Sequence, residues 1–248
     1  SPCARPYLVT KPPISPSALL RTAVAACREA GAHALQNRRR CQEAFHRSAH
    51  DVKLLLDREC QHLARNVIHA RFPTHRVIGE EDETPAPRRL PSGIRWLVDP
   101  IDGTVNFSHG LPFWCCSVAA LWRGRTIAGA VYAPALNLLF TAAREQGARC
   151  NGRSIRVSRV NHLPEALVLT GADLRSPCRL PPFAFFEALA SAVQRVRILG
   201  SAALDLCRVA SGEADAYFES GIFLWDIAAA RLVVTEAGGR GAILRVFE

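Results

Sequence analysis

The spacing of apolar residues changes character along the chain. Residues 17–37 are Ala-rich and made of good helix formers, after a lead-in broken by Pro2, Pro6, Pro12, Pro13 and Pro16. A helix is predicted there, with Ser17 as its N-cap. Leu56, Cys60, Leu63 and Val67 recur at helical spacing, which predicts a second, amphipathic helix from Asp57 to about Phe72-Pro73. Arg76-Val77-Ile78 reads as a short strand delivering Gly79-Glu80-Glu81, and the polar, Pro-rich residues 82–93 read as a loop. Ile94 to Val98 reads as an apolar strand that ends in Asp99. Three further runs, around 115–122, 126–133 and 138–142, are rich in β-branched and small residues. Polar turns at Arg123-Gly124 and Asn137 separate them, the pattern of an antiparallel meander.

Beyond about residue 155 the pattern alternates. Residues 183–195 read as helix, Val196 to Leu199 as strand, Leu204 to Ala210 as helix and Ala214 to Phe218 as strand. Trp225 to Ala237 read as a strong helix closed by Gly238-Gly239. The first half is thus α+β in character and the second α/β. No long linker or internal repeat divides the 248 residues, so one domain over 1–248 is expected, with halves of about 17–155 and 156–248.

Composition narrows the function. The chain carries a formal charge of +9 and so attracts anions, among them nucleic acid and phosphorylated metabolites. Residues 1–50 hold eight Lys or Arg against Glu29 and Glu43, six of the nine excess charges. Segments such as Arg38-Arg39-Arg40 read first as a solvated face and second as a nucleic-acid or protein docking patch. Nine cysteines without a CxxC pair argue against a zinc ribbon and fit reduced core thiols of a cytoplasmic protein. The eight histidines show no HExxH spacing. Trp96, Trp114, Trp122 and Trp225 read as core anchors. No apolar run approaches a membrane span, and no secretory signal is visible. The absence of Met fits a processed or trimmed chain.

Candidate chemistry concentrates in Trp96-Leu97-Val98-Asp99-Pro100-Ile101-Asp102-Gly103-Thr104. Two carboxylates three residues apart, where a strand ends at a proline, repel each other unless a cation lies between them. Hard oxygen ligands of this kind suit magnesium, which also takes phosphate oxygens. Gly103 and Thr104 would open the next turn with free backbone N–H groups, a phosphate cradle. Glu80-Glu81 alone is an ordinary charged loop, and Asp226 alone an ordinary helix-start residue. It is the set of three acidic clusters, each at an element boundary, that points to a metal site.

These residues also carry a resemblance. Asp99-Pro-Ile-Asp-Gly-Thr-Val-Asn-Phe107 resembles the signature of the inositol monophosphatase family, and Gly79-Glu80-Glu81 resembles its upstream acidic motif. Trp225-Asp226-Ile-Ala-Ala with Glu236-Ala-Gly-Gly239 resembles its C-terminal motif. Gly200-Ser201-Ala202-Ala203 and Ala214-Asp215-Ala-Tyr-Phe-Glu219 fall in the same order, so the likeness runs from about 17 to 241. It implies a layered α-β-α-β-α sandwich and magnesium-dependent hydrolysis of a small phosphate monoester such as inositol 1-phosphate.

By the same resemblance Glu80, Asp99, Asp102 and the carbonyl of Ile101 match the first metal ligands, and Asp226 matches a ligand of the second metal. Two or three Mg2+ ions are implied. Asp57 and Thr104 match the pair that orients the attacking water, with Glu80 beside them. Gly103 and Thr104 match the phosphate amides, and Ala202, Glu219 and Asp226 match the polyol-facing positions. Lithium sensitivity and a homodimer are implied in the same way. Histidinol phosphate, fructose 1,6-bisphosphate and adenosine 3′,5′-bisphosphate are served by related families. A binding role on RNA or a transcription complex through the basic N-terminal segment is the alternative of another class.

Two departures from the family pattern stand out. Leu54 replaces the family's usual threonine in Asp51-Val-Lys-Leu54-Leu-Leu-Asp57, which removes a hydroxyl near the water-orienting residues. The chain also stops soon after Gly241, where the family usually continues with a strand and helix, as a truncated end would.

Overall fold

A computed structural model describes residues 12–47, 52–82, 93–171 and 182–241. The chain opens with α1 (Pro16–Gln36). Its N-cap is Ser15, whose Oγ accepts the Ala18 N–H at 3.3 Å, and Pro16 occupies the first helical position. The cap therefore lies two residues before the expected Ser17. A short hairpin of β1 (Ala44–Arg47) and β2 (Val52–Leu54) leads into α2 (Leu55–Arg71). The hairpin was not expected, because its strands are too short for alternation to register.

The meander expected from sequence is the centre of a larger sheet. β3 (Arg76–Gly79), β4 (Ile94–Asp102), β5 (Cys115–Trp122), β6 (Arg125–Ala133), β7 (Leu138–Ala143), β8 (Ala148–Cys150) and β9 (Arg153–Ser154) lie side by side in chain order. β3 runs parallel to β4, and every later neighbour is antiparallel. β4 does not stop at Val98. Its pairing with β5 passes from Asp99↔Ser117 to Asp102↔Cys115. Pro100 and Ile101 are thus accommodated at an irregularity that turns the strand without ending it. The helix α3 (Thr104–Ser108) follows at once.

A second, three-stranded parallel sheet has β10 (Leu167–Thr170) at its centre, between β11 (Arg195–Arg197) and β12 (Ala216–Phe218). The helices of this half are α4 (Pro182–Ala192), α5 (Ala202–Ala210) and α6 (Leu224–Glu236). Sequence reading found the flanking strands but not β10. Three apolar residues followed by a buried threonine show no alternation against which to read a strand.

The layers follow from which side chains meet. Trp96, Val98, Cys116, Val118 and Ala130 on one face of the large sheet pack with Ala23, Cys27 and Ala30 of α1 and Cys60 and Ala64 of α2. Leu97, Ala119, Val131 and Phe140 on the other face pack with Leu204 of α5 and Ala228, Ala229 and Val233 of α6. Leu169 of β10 meets Val209 of α5, while Val168 meets Leu189 and Val193 at α4. The order is helices, seven-stranded sheet, helices, three-stranded sheet, helix, the α-β-α-β-α sandwich. Trp96 and Trp114 are core residues, whereas Trp122 and Trp225 are half-buried. Among the described cysteines all seven are free thiols, five of them buried.

Small residues let α6 approach the sheet closely. A Cβ on Gly129 of β6 would sit 2.9 Å from the Ala229 Cα and 3.1 Å from its carbonyl oxygen. Backbone cannot yield as a flexible side chain can. Gly129→Ala is therefore expected to cost about 1–3 kcal/mol by overpacking. Urea unfolding measures it, as a lower midpoint at unchanged slope.

Candidate active site

Strand ends and helix starts converge where the two faces of the large sheet meet α2, α5 and α6. β4 brings Asp99 into the buried layer, with 1% of its surface exposed. β3 ends at Gly79, and the backbone N–H of Glu80 donates to the Val98 carbonyl at 3.1 Å. Asp226 is the third residue of α6, and its Oδ2 accepts the Phe223 N–H at 2.7 Å. A carboxylate of this kind satisfies one of the helix's orphan donors and lies in the positive end of its dipole. One oxygen from each of Glu80, Asp99 and Asp226 falls within 4.8 Å of the other two.

This trio is electrostatically costly. Burial, then the charges of Glu80, Asp102 and Asp226, push the Asp99 carboxyl well above the usual carboxylate range. Burial, Glu80 and Asp102 do the same to Asp226. Asp99 Oδ1 is buried with no hydrogen-bond partner among the described residues. Such an oxygen loses its hydration without replacement, and a divalent cation answers both defects at once. The donor set, carboxylates alone, is one that a hard cation prefers over a soft one.

Asp102 stands beside the trio and is held differently. Its Oδ2 accepts from Ser201 Oγ at 2.5 Å, from the Ala203 N–H at 2.8 Å and from Cys115 Sγ at 3.6 Å. It thereby caps the N-terminus of α5 from another part of the chain. Burial raises its pKa, and the bonds from Ser201 and Ala203 oppose that rise. Sequence reading placed Asp102 in the site but missed the hold on it, since Ser201 lies 99 positions away.

The remaining expected residues have anchorages of their own. Asp57 is the third residue of α2, 2% exposed, and its Oδ2 accepts the Leu54 N–H at 2.8 Å. Leu54 is the N-cap of that helix and is wholly buried. The hydroxyl lost at this position is thus lost from a capping position, where a threonine would be favoured. Thr104 Oγ1 donates to the Ile101 carbonyl at 2.8 Å. Gly103 has φ +90° and ψ 38°, and a Cβ there would meet the carbonyls of Gly200 and Phe113 at 3.0 and 3.1 Å. Only glycine makes this left-handed turn into α3 without strain. Asn106 Nδ2 donates to the carbonyls of Phe113 and Leu199 at 2.8 and 2.7 Å, tying α3 to the loop before α5.

Ala202 and Glu219 come from the second half of the chain. Ala202 opens α5 and is 9% exposed. The Tyr217 hydroxyl donates to Glu219 Oε2, and a Cβ on Gly171 would overlap the Glu219 carboxylate. Gly171 and Tyr217 therefore shape the wall that Glu219 forms. Neither residue announced this in sequence, because each acts through a third residue.

A sequence profile of the inositol monophosphatase family matches residues 15–242. The chain belongs to the inositol monophosphatase family. The Nus factor SuhB of Pasteurella multocida is 39% identical over 225 residues, covering 89% of this chain and 83% of that protein. Inositol monophosphatase 2 of Homo sapiens is 39% identical over 196 residues, covering 77% and 68%. Among solved structures, extragenic suppressor protein suhB from Bartonella henselae superposes with a TM-score of 0.80 at 32% identity, covering 89% of this chain and 85% of that one. Inositol monophosphatase from Anabaena gives 0.79 at 31%, covering 90% and 83%. The family is one of phosphatases, generally metal-dependent.

One further carboxyl lies close by. Asp205 of α5 is 1% exposed, with Oδ1 unpartnered among the described residues. Burial, then Asp102 and Glu219, push its pKa up to about 8. A raised folded-state value means that its stabilising contribution is whole below about 3.8 and gone above about 8. In magnesium-free buffer the melting temperature is expected to fall between pH 5 and pH 8. Asp205→Asn, which cannot ionise, should show a smaller fall, and equal falls would refute the assignment.

Proposed function

We propose that this protein hydrolyses a small phosphorylated polyol, inositol 1-phosphate foremost, to the free alcohol and phosphate in a magnesium-dependent reaction. The observation that carries this reading is the trio of Glu80, Asp99 and Asp226, whose oxygens lie within 4.8 Å of one another while the buried Asp99 Oδ1 has no described partner. These three, with Asp102 and the Ile101 carbonyl, would hold two or three Mg2+ ions. Bound there, magnesium would neutralise the carboxylates, make a water more acidic and offset charge on the leaving oxygen.

The chain's own residues do the rest. The backbone N–H groups of Gly103 and Thr104 bind the phosphate at the start of α3. Asp57 and the Thr104 hydroxyl, with Glu80 beside them, orient the attacking water, and the Asp57 carboxylate takes up its proton. Phosphoryl transfer depends on such positioning and on charge stabilisation, so a covalent nucleophile is not required. Glu219, Asp226 and the small side chain of Ala202 face the substrate's hydroxyls. Inhibition by lithium, a homodimer, a single phosphatase domain over 1–248 and a cytoplasmic location belong to the same reading, supported by the family likeness and by the free thiols. Among the described residues no helix is long and apolar enough to cross a membrane.

A second reading rests on the relatives named Nus factor SuhB. It gives this chain a binding role on RNA or a transcription complex through the basic N-terminal segment, with salt-sensitive affinity. Within that segment Arg40 is already paired to Glu43 and Glu59, at 2.9 and 2.7 Å, while Arg38 and Arg39 are exposed. The two readings are compatible.

Phosphate release from a panel of monoesters, with magnesium and with EDTA, tests the first reading. The panel comprises inositol 1-phosphate, histidinol phosphate, fructose 1,6-bisphosphate and adenosine 3′,5′-bisphosphate. Magnesium-dependent release fastest from inositol 1-phosphate is expected. A different preferred ester would move the substrate within the related families, and no release from any ester would reject the enzyme reading. Asp99→Asn is expected to lower the rate roughly 100-fold or more. Its melting temperature in EDTA should not fall, because a neutral amide relieves the repulsion that Asp99 suffers.

A further inference from the structure

The turn that carries Glu80 is fastened to α2 by side chains that the proposed reaction does not use. Asp82 Oδ2 accepts the Gly79 N–H at 3.0 Å. Asp82 Oδ1 accepts from Gln61 Nε2 at 3.0 Å and from Arg65 Nη2 at 2.6 Å. Gln61 Oε1 in turn accepts the Glu81 N–H at 2.9 Å. Both ends of one buried amide, 5% exposed, are thus spent on Glu81 and Asp82, the two residues that follow Glu80. The fit is close: a Cβ on Gly79 would lie 1.9 Å from Gln61 Oε1, so glycine there makes room for the amide.

The placement on α2 has a sequence logic. Asp57, Gln61 and Arg65 recur every four residues and so lie along one face of the helix. The same stripe that carries Asp57 to the site also grips the Glu80 turn. On its other side the turn is held to the large sheet by the bond from the Glu80 N–H to the Val98 carbonyl. The Glu80 backbone is fixed from two elements, the ordering of a ligand's support before the cation arrives. A loosely held carboxylate would have to be ordered on binding, at a cost to affinity.

We infer that Gln61 and Asp82 are positioning residues that set the place of the Glu80 carboxylate and thereby the affinity of the acidic site for a divalent cation. The inference rests on the metal-site reading above. It assigns to Gln61 and Asp82 no contact with substrate or with the reacting water. Loss of the grip leaves all three carboxylates present and weakens their joint hold.

Titration calorimetry with magnesium chloride, without substrate, tests this on the full chain. Wild type, Gln61→Leu, Glu80→Gln and the double variant Gln61→Leu/Glu80→Gln form a cycle. Gln61→Leu is expected to weaken magnesium binding about tenfold, and to cause no further loss where Glu80 is already Gln. Asp82→Asn carries the same expectation and replaces Gln61→Leu if that variant does not fold. Binding equal to wild type in Gln61→Leu, or the same loss in both backgrounds, would overturn the inference and leave the metal site standing. A wild type that takes up no magnesium would overturn the metal site and the inference with it.

Discussion

Three carboxylates whose oxygens lie within 4.8 Å of one another, the central Asp99 buried, dominate this molecule. Burial, then the charges of Glu80 and Asp102, raise the pKa of both Asp99 and Asp226. A fold gains nothing from such an arrangement by itself, since burial of like charges opposes folding. The rest of the structure has to hold these groups in place against their repulsion. It does so by giving each a separate anchorage: Asp99 by the sheet, Asp226 by the first turn of α6, and Glu80 by the Val98 carbonyl on one side and Gln61 and Asp82 on the other.

Helix starts recur in this design. Asp57 and Asp226 both occupy the third position of a helix and both accept a backbone N–H three residues back. Asp102 performs the same service for α5 from a distant part of the chain, through Ser201 and Ala203. Each of these carboxylates uses one oxygen to satisfy helix donors. The structural bond fixes the direction of the carboxylate, and this lets a site assembled from separate elements keep a common geometry. Asn106, which joins α3 to the loop before α5, fastens the two halves of the chain across the same region.

The parts legible in the sequence were those written locally. The long helices, the meander and the acidic run at 99–102 are each contained in a single stretch, and family likeness set them in order. The ends of elements were less legible: α1 starts at Pro16 because Ser15 caps it, and β4 continues past Pro100 because an irregular pairing absorbs the proline. Non-local holds were not legible at all. Nothing in the neighbourhood of Asp102 points to Ser201, nor anything in Glu219 to Tyr217 or Gly171. β10 went unseen for a related reason. Its four residues are buried by layers that come from α4 and α5, and only the assembled sandwich shows them to be a central strand.

The account stands on the claim that the acidic trio around the buried Asp99 is completed by a divalent cation. The most direct measurement is the melting temperature of the metal-free protein as magnesium chloride is added, against sodium chloride at matched ionic strength. A ligand that binds the folded chain alone raises stability by an amount that grows with the logarithm of its concentration. The account predicts a progressive rise with magnesium that sodium does not reproduce. Coincident curves for the two salts would contradict it.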